Sequence, residues 1–203
     1  MTNTWESLIF FAAMIVLVLF ILRLRDRVYV PAYILFGGCL LSIVFLALAS
    51  SPIASPVLQP PIPALQSYWL VLHVLFSFIG EAFFGVSFVA AVARLIHKDE
   101  DKHRQLDRIM YISVSVGYPI FTVGALIFGA IWAEYAWGSF WSWDPKETWA
   151  LVTWLVYTAY LHVRFIKKIR GRVSAWLLII GFFFMLFTFF GVNYLLAGLH
   201  SYT

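Results

Sequence analysis

Three of the five histidines in this 203-residue chain sit beside or inside long apolar runs, where an imidazole is not simply a solvated side chain. His73 stands near the start of one run, in "YWLVLHVLF"; His200 closes another, in "GLHSYT"; His162 lies inside a third, in "YLHVR". Neutral imidazole is a good iron ligand, and two imidazoles on opposite faces of a porphyrin plane form a common axial pair. His73 and His200 are distant in sequence but come to one surface if their runs are helices. The other reading is two unrelated histidines at headgroup depth. His97 and His103, in "HKDEDKHRQLDR", read as parts of a charged, solvated loop.

A second concentration of chemistry lies in "AEYAWGSFWSWDPKETWALVTW", residues 133–154, which holds Trp137, Trp141, Trp143, Trp149 and Trp154. An interfacial aromatic belt accounts for rings at headgroup depth. This stretch also places Gly138 and Ser139 among the rings, so that backbone can approach a bound object closely. Flat rings offer a stacking surface for a flat, apolar ligand such as a porphyrin. The stretch "DPKE" predicts a helix N-terminus, with Asp144 at the N-cap, Pro145 at N1 and Glu147 at N3. Asp144 therefore has a capping role whatever else the stretch does.

The elements that must position these groups follow from composition. The chain is 63% hydrophobic and 12% charged, against about 25% charged in soluble domains. Six apolar stretches, near 5–22, 28–49, 69–93, 109–132, 148–165 and 173–197, are long enough to cross ~30 Å of hydrocarbon as helices. The first reads as a span rather than a cleaved leader, because no basic residue precedes it and no A-x-A-type site closes it. The expected fold is all-α: a polytopic membrane protein of six helices, one domain over 1–203, with the tryptophan connector at about 133–147.

Charge orients it. Arg23, Arg25 and Arg27 follow the first span; Arg94, Lys98, Lys102, Arg104 and Arg108 follow the third; Arg164, Lys167, Lys168, Arg170 and Arg172 follow the fifth. Of the 14 Lys and Arg residues, only Lys146 falls on the other side. The positive-inside rule makes the three basic loops cytoplasmic and puts both termini and the tryptophan connector outside. The formal charge of +4 is thus a topology signal and a contact with anionic lipid, not a nucleic-acid patch.

The other outer loop, about 50–68, carries five prolines and reads as extended or turn structure. The single Cys39 excludes an internal disulfide and any CxxC motif. His162, 14 residues past Thr148, lies ~21 Å along the fifth helix, in the cytoplasmic half of the bilayer. An ionisable residue there is a functional candidate; a hydrogen bond between helices or snorkelling is the other reading. Glu81, the one acid deep in a span, fits a structural hydrogen bond or a part in proton or haem handling equally well.

The run "WGSFWSWDPKETWALVTWLVYTAYLH" resembles the WWD signature of haem-handling membrane proteins, and most closely the CcsA (ResC) family. "PALQSYWLVLHV", "GYPIFTVGALIFGAIWAEYAWG" and "GVNYLLAGLHSY" extend the resemblance from about Pro63 to Tyr202. The family commonly has eight spans; the six read here imply a shorter form, lacking N-terminal parts and keeping the motif-bearing core.

The resemblance implies a holocytochrome c synthase subunit that carries haem b (protohaem) from the cytoplasmic to the outer side of the membrane. His73 and His200 would ligate the iron outside, and His162 at the inner entry site. Trp137, Trp141, Trp143, Trp149 and Asp144 match the haem-cradling stretch. Haem would then be joined to the cysteines of a CxxCH apocytochrome c, with His73, His200 and Asp144 at the site of attachment. A CcsB (ResB)-like partner must complete the synthase, since no second deep histidine exists here, and a thiol-reducing partner is a further expectation. The implied location is the bacterial cytoplasmic membrane, with the plastid thylakoid membrane the alternative by family analogy. Two other classes compete: a CcmC-type protein that hands haem to a chaperone, and a membrane subunit that holds haem b permanently.

Overall fold

The computed structural model describes residues 3–24, 29–54, 56–57, 65–166 and 171–196. His200, Arg25, Arg27, Lys167, Lys168, Arg170 and part of the proline-rich loop, residues 55 and 58–64, lie outside these residues.

All regular structure among the described residues is helical. Helix α1 (Thr4–Leu24) and helix α2 (Ala32–Ala49) pack on each other and on α3 (Tyr68–Ile96). Helix α4 (Glu100–Phe121) runs through a π-helical segment (Thr122–Phe128) into α5 (Gly129–Trp137). After the connector come α6 (Pro145–Phe165) and α7 (Arg172–Leu186), and α7 continues through a second π segment (Phe187–Gly191) into α8 (Val192–Leu195).

Helix α3 is the axis of the molecule. It packs against α1, α2, α4 and α7, and every residue from Ala82 to Ser87 is buried. Small residues make this possible. A Cβ on Gly80 would meet the Phe121 backbone nitrogen at 2.7 Å, and one on Gly117 would meet the Gly80 carbonyl at 2.9 Å. Such small-residue seams let helix backbones approach where lipid offers no hydrophobic drive for helix association. Helix α2, by contrast, exposes Phe36, Leu40, Ile43 and Val44, a face suited to lipid.

Among the described residues, five helical runs are long and apolar enough to cross a membrane: Thr4–Leu24, Ala32–Ala49, Tyr68–Ile96, Glu100–Trp137 and Arg172–Leu195. Six were expected. Helix α6, which covers the expected 148–165 span, is not among the five. Lys146 and Glu147 occupy its first turn, His162 and Arg164 its last, and its middle mixes threonines with Trp and Tyr. At 21 residues it is still about 31 Å long.

The stretch expected as a charged loop is helix from Glu100 onward. Asp99 caps it, its carboxylate accepting from the Asp101 amide at 2.9 Å, and Glu100 and Asp101 fill the first turn. Leu106, Ile109 and Met110 are buried beneath its polar face. This amphipathic pattern overrides the composition that suggested a loop. His103 therefore sits on α4, its Nε2 donating to the His97 carbonyl at 2.6 Å, while His97 caps the end of α3.

Candidate functional site

The site begins at the α3–π contact. A Cβ on Gly124 would lie 2.4 Å from the Ser77 amide nitrogen, so only glycine permits this approach. At that distance the Gly124 carbonyl accepts from His73 Nδ1 at 2.9 Å. It also accepts from the Gly129 amide, the wider-spaced bond that defines the π segment. A carbonyl has two lone pairs and can serve both donors. A carbonyl can only accept, so His73 carries a proton on Nδ1, and the neutral ring then has its lone pair on Nε2. This is the state required of a neutral Nε2 metal ligand, and a backbone carbonyl is the usual partner that selects it.

One face of the imidazole is backed by Trp132, with ring centroids 6.0 Å apart and planes 4° from parallel. Trp132 is 2% exposed, and Trp137 braces it edge-on at 4.7 Å.

The connector is pinned by the helix that follows it. Gly138, at φ 74°, ends α5 in the left-handed conformation, its amide bonding the Glu134 carbonyl at 2.9 Å. Asp144 is buried and caps α6, accepting from the Lys146 amide at 3.0 Å. Glu147 completes the expected capping box, accepting from the Asp144 amide at 3.3 Å. The same carboxylate oxygen reaches back to the Ser142 amide at 2.9 Å. Between them Trp143 adopts φ 59°, a left-handed conformation that strains a bulky residue. Its carbonyl accepts from the Thr148 hydroxyl at 3.3 Å.

These elements enclose a cavity of about 250 Å³. Its walls come from the starts of α1, α3 and α6, from the π segment and α5, and from the end of α7 and α8. Apolar and aromatic surface is supplied by Leu70, Phe78, Phe121, Trp132, Trp141 and Phe189. The polar groups are His73, Glu81, Lys146, Glu147 and Asn193, among others. Lys146 Nζ donates to Asn193 Oδ1 at 3.1 Å, which ties α6 to α8.

Of the residues singled out in the sequence, His73, Glu81 and Trp141 line the cavity. Trp137 stands behind Trp132. Trp149 packs on Phe184 and Phe187. Trp143 is 69% exposed, and Asp144 is spent on the helix cap. His162 is exposed in the last turn of α6, its Nδ1 donating to the Thr158 carbonyl at 2.8 Å. His200 lies outside the described residues, so its approach to His73 is not seen.

Sequence reasoning missed Trp132, Lys146, Glu147 and Asn193 as cavity residues. For Lys146 a signal existed: it is the one basic residue against the charge bias. For Trp132 there was none, because its register depends on the π segment.

The family profile for cytochrome C assembly protein matches residues 1–200, well beyond the start near Pro63 that the motifs alone suggest. The chain is 34% identical over 250 aligned residues to the cytochrome c biogenesis protein CcsA of Heterosigma akashiwo, with all of this chain and 76% of the relative covered. It is 37% identical to CcsA of Chlamydomonas reinhardtii, covering 60% of that protein. Against CcsA of Prochlorococcus marinus it is 39% identical, with 70% of this chain and 57% of the relative covered. With the aromatic cavity built around His73 and the WDPKE cap, these matches make the chain a member of the cytochrome C assembly protein family, a multi-pass membrane protein of cytochrome c biogenesis in its CcsA branch.

Proposed function

We propose that the cavity holds haem b as cargo on the outer side of the membrane and presents it for covalent attachment to a CxxCH apocytochrome c. The observation that carries this reading is His73. Its Nδ1 is held by the Gly124 carbonyl, which in the neutral ring leaves the lone pair on Nε2, and Trp132 backs its ring at a cavity with apolar and aromatic walls. These groups fit one axial ligand and an apolar macrocycle. His200 is the proposed second ligand, and Trp141 the wall closest to the connector's exposed rings. In attachment, each apocytochrome thiol adds across a haem vinyl group. A carbon–sulfur bond forms, and the thiol hydrogen goes to the neighbouring vinyl carbon.

On this reading the basic loops are cytoplasmic, and α6 crosses the membrane with the five more apolar runs. Its first turn lines the cavity, while Arg164 near its end lies over the Tyr111 ring of α4 at 5.3 Å. His162 then stands at the inner side, where a histidine from a CcsB-like partner completes an entry site. Haem lyase activity belongs to that complex.

The test is ligand replacement. His73→Ala and His200→Ala should each shift the haem absorption spectrum of the purified complex, and free imidazole should partly restore it. Covalent haem on a coexpressed CxxCH substrate should fall in parallel. Wild-type spectra and full maturation in both variants would falsify the axial assignment. Haem that stays at full stoichiometry and never reaches the substrate would mark a permanent haem b subunit instead.

A further inference from the structure

We propose that Lys146 is the residue that binds an acidic group of the cavity's ligand; resting on the reading above, that group is a haem propionate carboxylate.

The position of Lys146 is the first argument. Its backbone amide is held by the Asp144 cap, which fixes it in the first turn of α6. From there the side chain reaches the cavity, which His73 and Trp132 also line. A cation placed in a cavity with apolar and aromatic walls is costly unless it meets an anion or several acceptors.

The second argument is its incomplete partnership. An ammonium has three donors. Among the described residues Lys146 makes one side-chain hydrogen bond, to the neutral amide oxygen of Asn193. Glu81 from α3 and Asp144 at the cap both face it electrostatically, but neither is within ion-pair distance, since the ion pairs of the described residues are Arg94–Asp107, His103–Glu100 and Arg104–Asp101. Donor capacity therefore remains on a cation that looks into the cavity.

The third argument is topological. Every other Lys and Arg belongs to the three basic loops. A basic residue on the opposite side works against the charge bias that orients the chain, so a local demand has to retain it. A ligand with a flat apolar body and carboxylates at one edge meets that demand. The body lies against the aromatic wall, and one carboxylate takes the remaining donors of Lys146.

The competing account makes Lys146 a structural tie to α8 through Asn193. The experiment separates the two by comparing Fe(III) protoporphyrin IX with its dimethyl ester, in which both carboxylates are masked. Each is titrated into the full chain purified in detergent, and the ratio of the two affinities is read. Wild type should prefer the free acid by roughly tenfold or more, as expected for a charge-assisted hydrogen bond. Lys146→Met should collapse the ratio, and Lys146→Arg should keep most of it. Asn193→Ala cuts the tie but leaves the charge, and should preserve the preference.

A Lys146→Met protein with the wild-type ratio overturns the proposal. So does a pair of variants, Lys146→Met and Asn193→Ala, that lower both affinities equally. Wild type that binds acid and ester alike also overturns it while leaving the haem reading intact. Wild type that binds neither removes the haem reading, and this inference with it.

Discussion

At the scale of single residues, Asp144 and Trp143 separate structural from chemical roles. Asp144 is buried and its carboxylate accepts from the Lys146 amide. Asn caps a helix about as well, so Asp144→Asn should leave the melting temperature of the solubilised protein nearly unchanged. Ala should cost about 0.5–2 kcal/mol. Reduced cytochrome c maturation in the Asn variant, at normal protein level, would show that the negative charge also serves haem handling. Trp143 makes the opposite case. It is held at φ 59° with 69% of its surface exposed, so its ring adds little to packing. Strain of this kind costs about 1–3 kcal/mol and tends to persist at functional sites. Trp143→Gly relieves it and should melt no lower than wild type, yet maturation should drop. A Gly variant that matures cytochrome c normally would reduce Trp143 to an incidental surface ring.

At the scale of elements, the π segment does the positioning. Pro119 removes one amide donor from the helix before it, and the wider ladder from Thr122 to Phe128 shifts the register of everything up to Trp137. That shift sets Gly124 against α3 and Trp132 against His73. Gly124→Ala would put a methyl group 2.4 Å from backbone of α3, which cannot yield as a side chain tip can. We expect about 1–3 kcal/mol of destabilisation and a changed haem spectrum, because the His73 anchor moves with the segment. Gly85→Ala, on α3 but with its nearest contact at 3.5 Å, serves as the control and should be close to silent. If both variants behave alike in spectrum and melting, the close approach at Gly124 is not what orients His73. The segment is also tied from α6, where Trp154 Nε1 donates to the Thr122 hydroxyl at 2.9 Å.

At the scale of the whole molecule, the cavity gathers the ends of helices that alternate in direction, and the basic segments fall at the other ends. Reporter fusions after Arg27, Arg104 and Arg170 should therefore read cytoplasmic, and fusions near Pro60 and at the C-terminus should read external. A cytoplasmic C-terminus would remove His200 from the cavity's side and end the paired-ligand reading. His162 tests the link between the two faces. It sits ~20 Å along α6 from the connector, too far to share one iron with His73. His162→Ala should lower haem per inserted molecule at the outer site with all outer residues intact. Unchanged occupancy alongside lower protein levels would assign His162 a structural role.

The sequence by itself determined the membrane class, the helical spans of α1–α3 and of the run from α7 through α8 to within a few residues, the capping box at Asp144 and the family. These rest on properties that act locally or add along the chain: apolar length, hydrogen bonding within one helical turn, and a contiguous signature. It also marked His73. What it did not determine was the company His73 keeps. Trp132 rather than Trp143 backs the imidazole, Lys146 points into the cavity, and Trp149 packs away from it on Phe184 and Phe187. Those outcomes were decided by the tertiary structure. A π segment changes the facing of every later residue on its helix, and the direction of a side chain near a connector depends on which neighbouring helices have glycine to let them close.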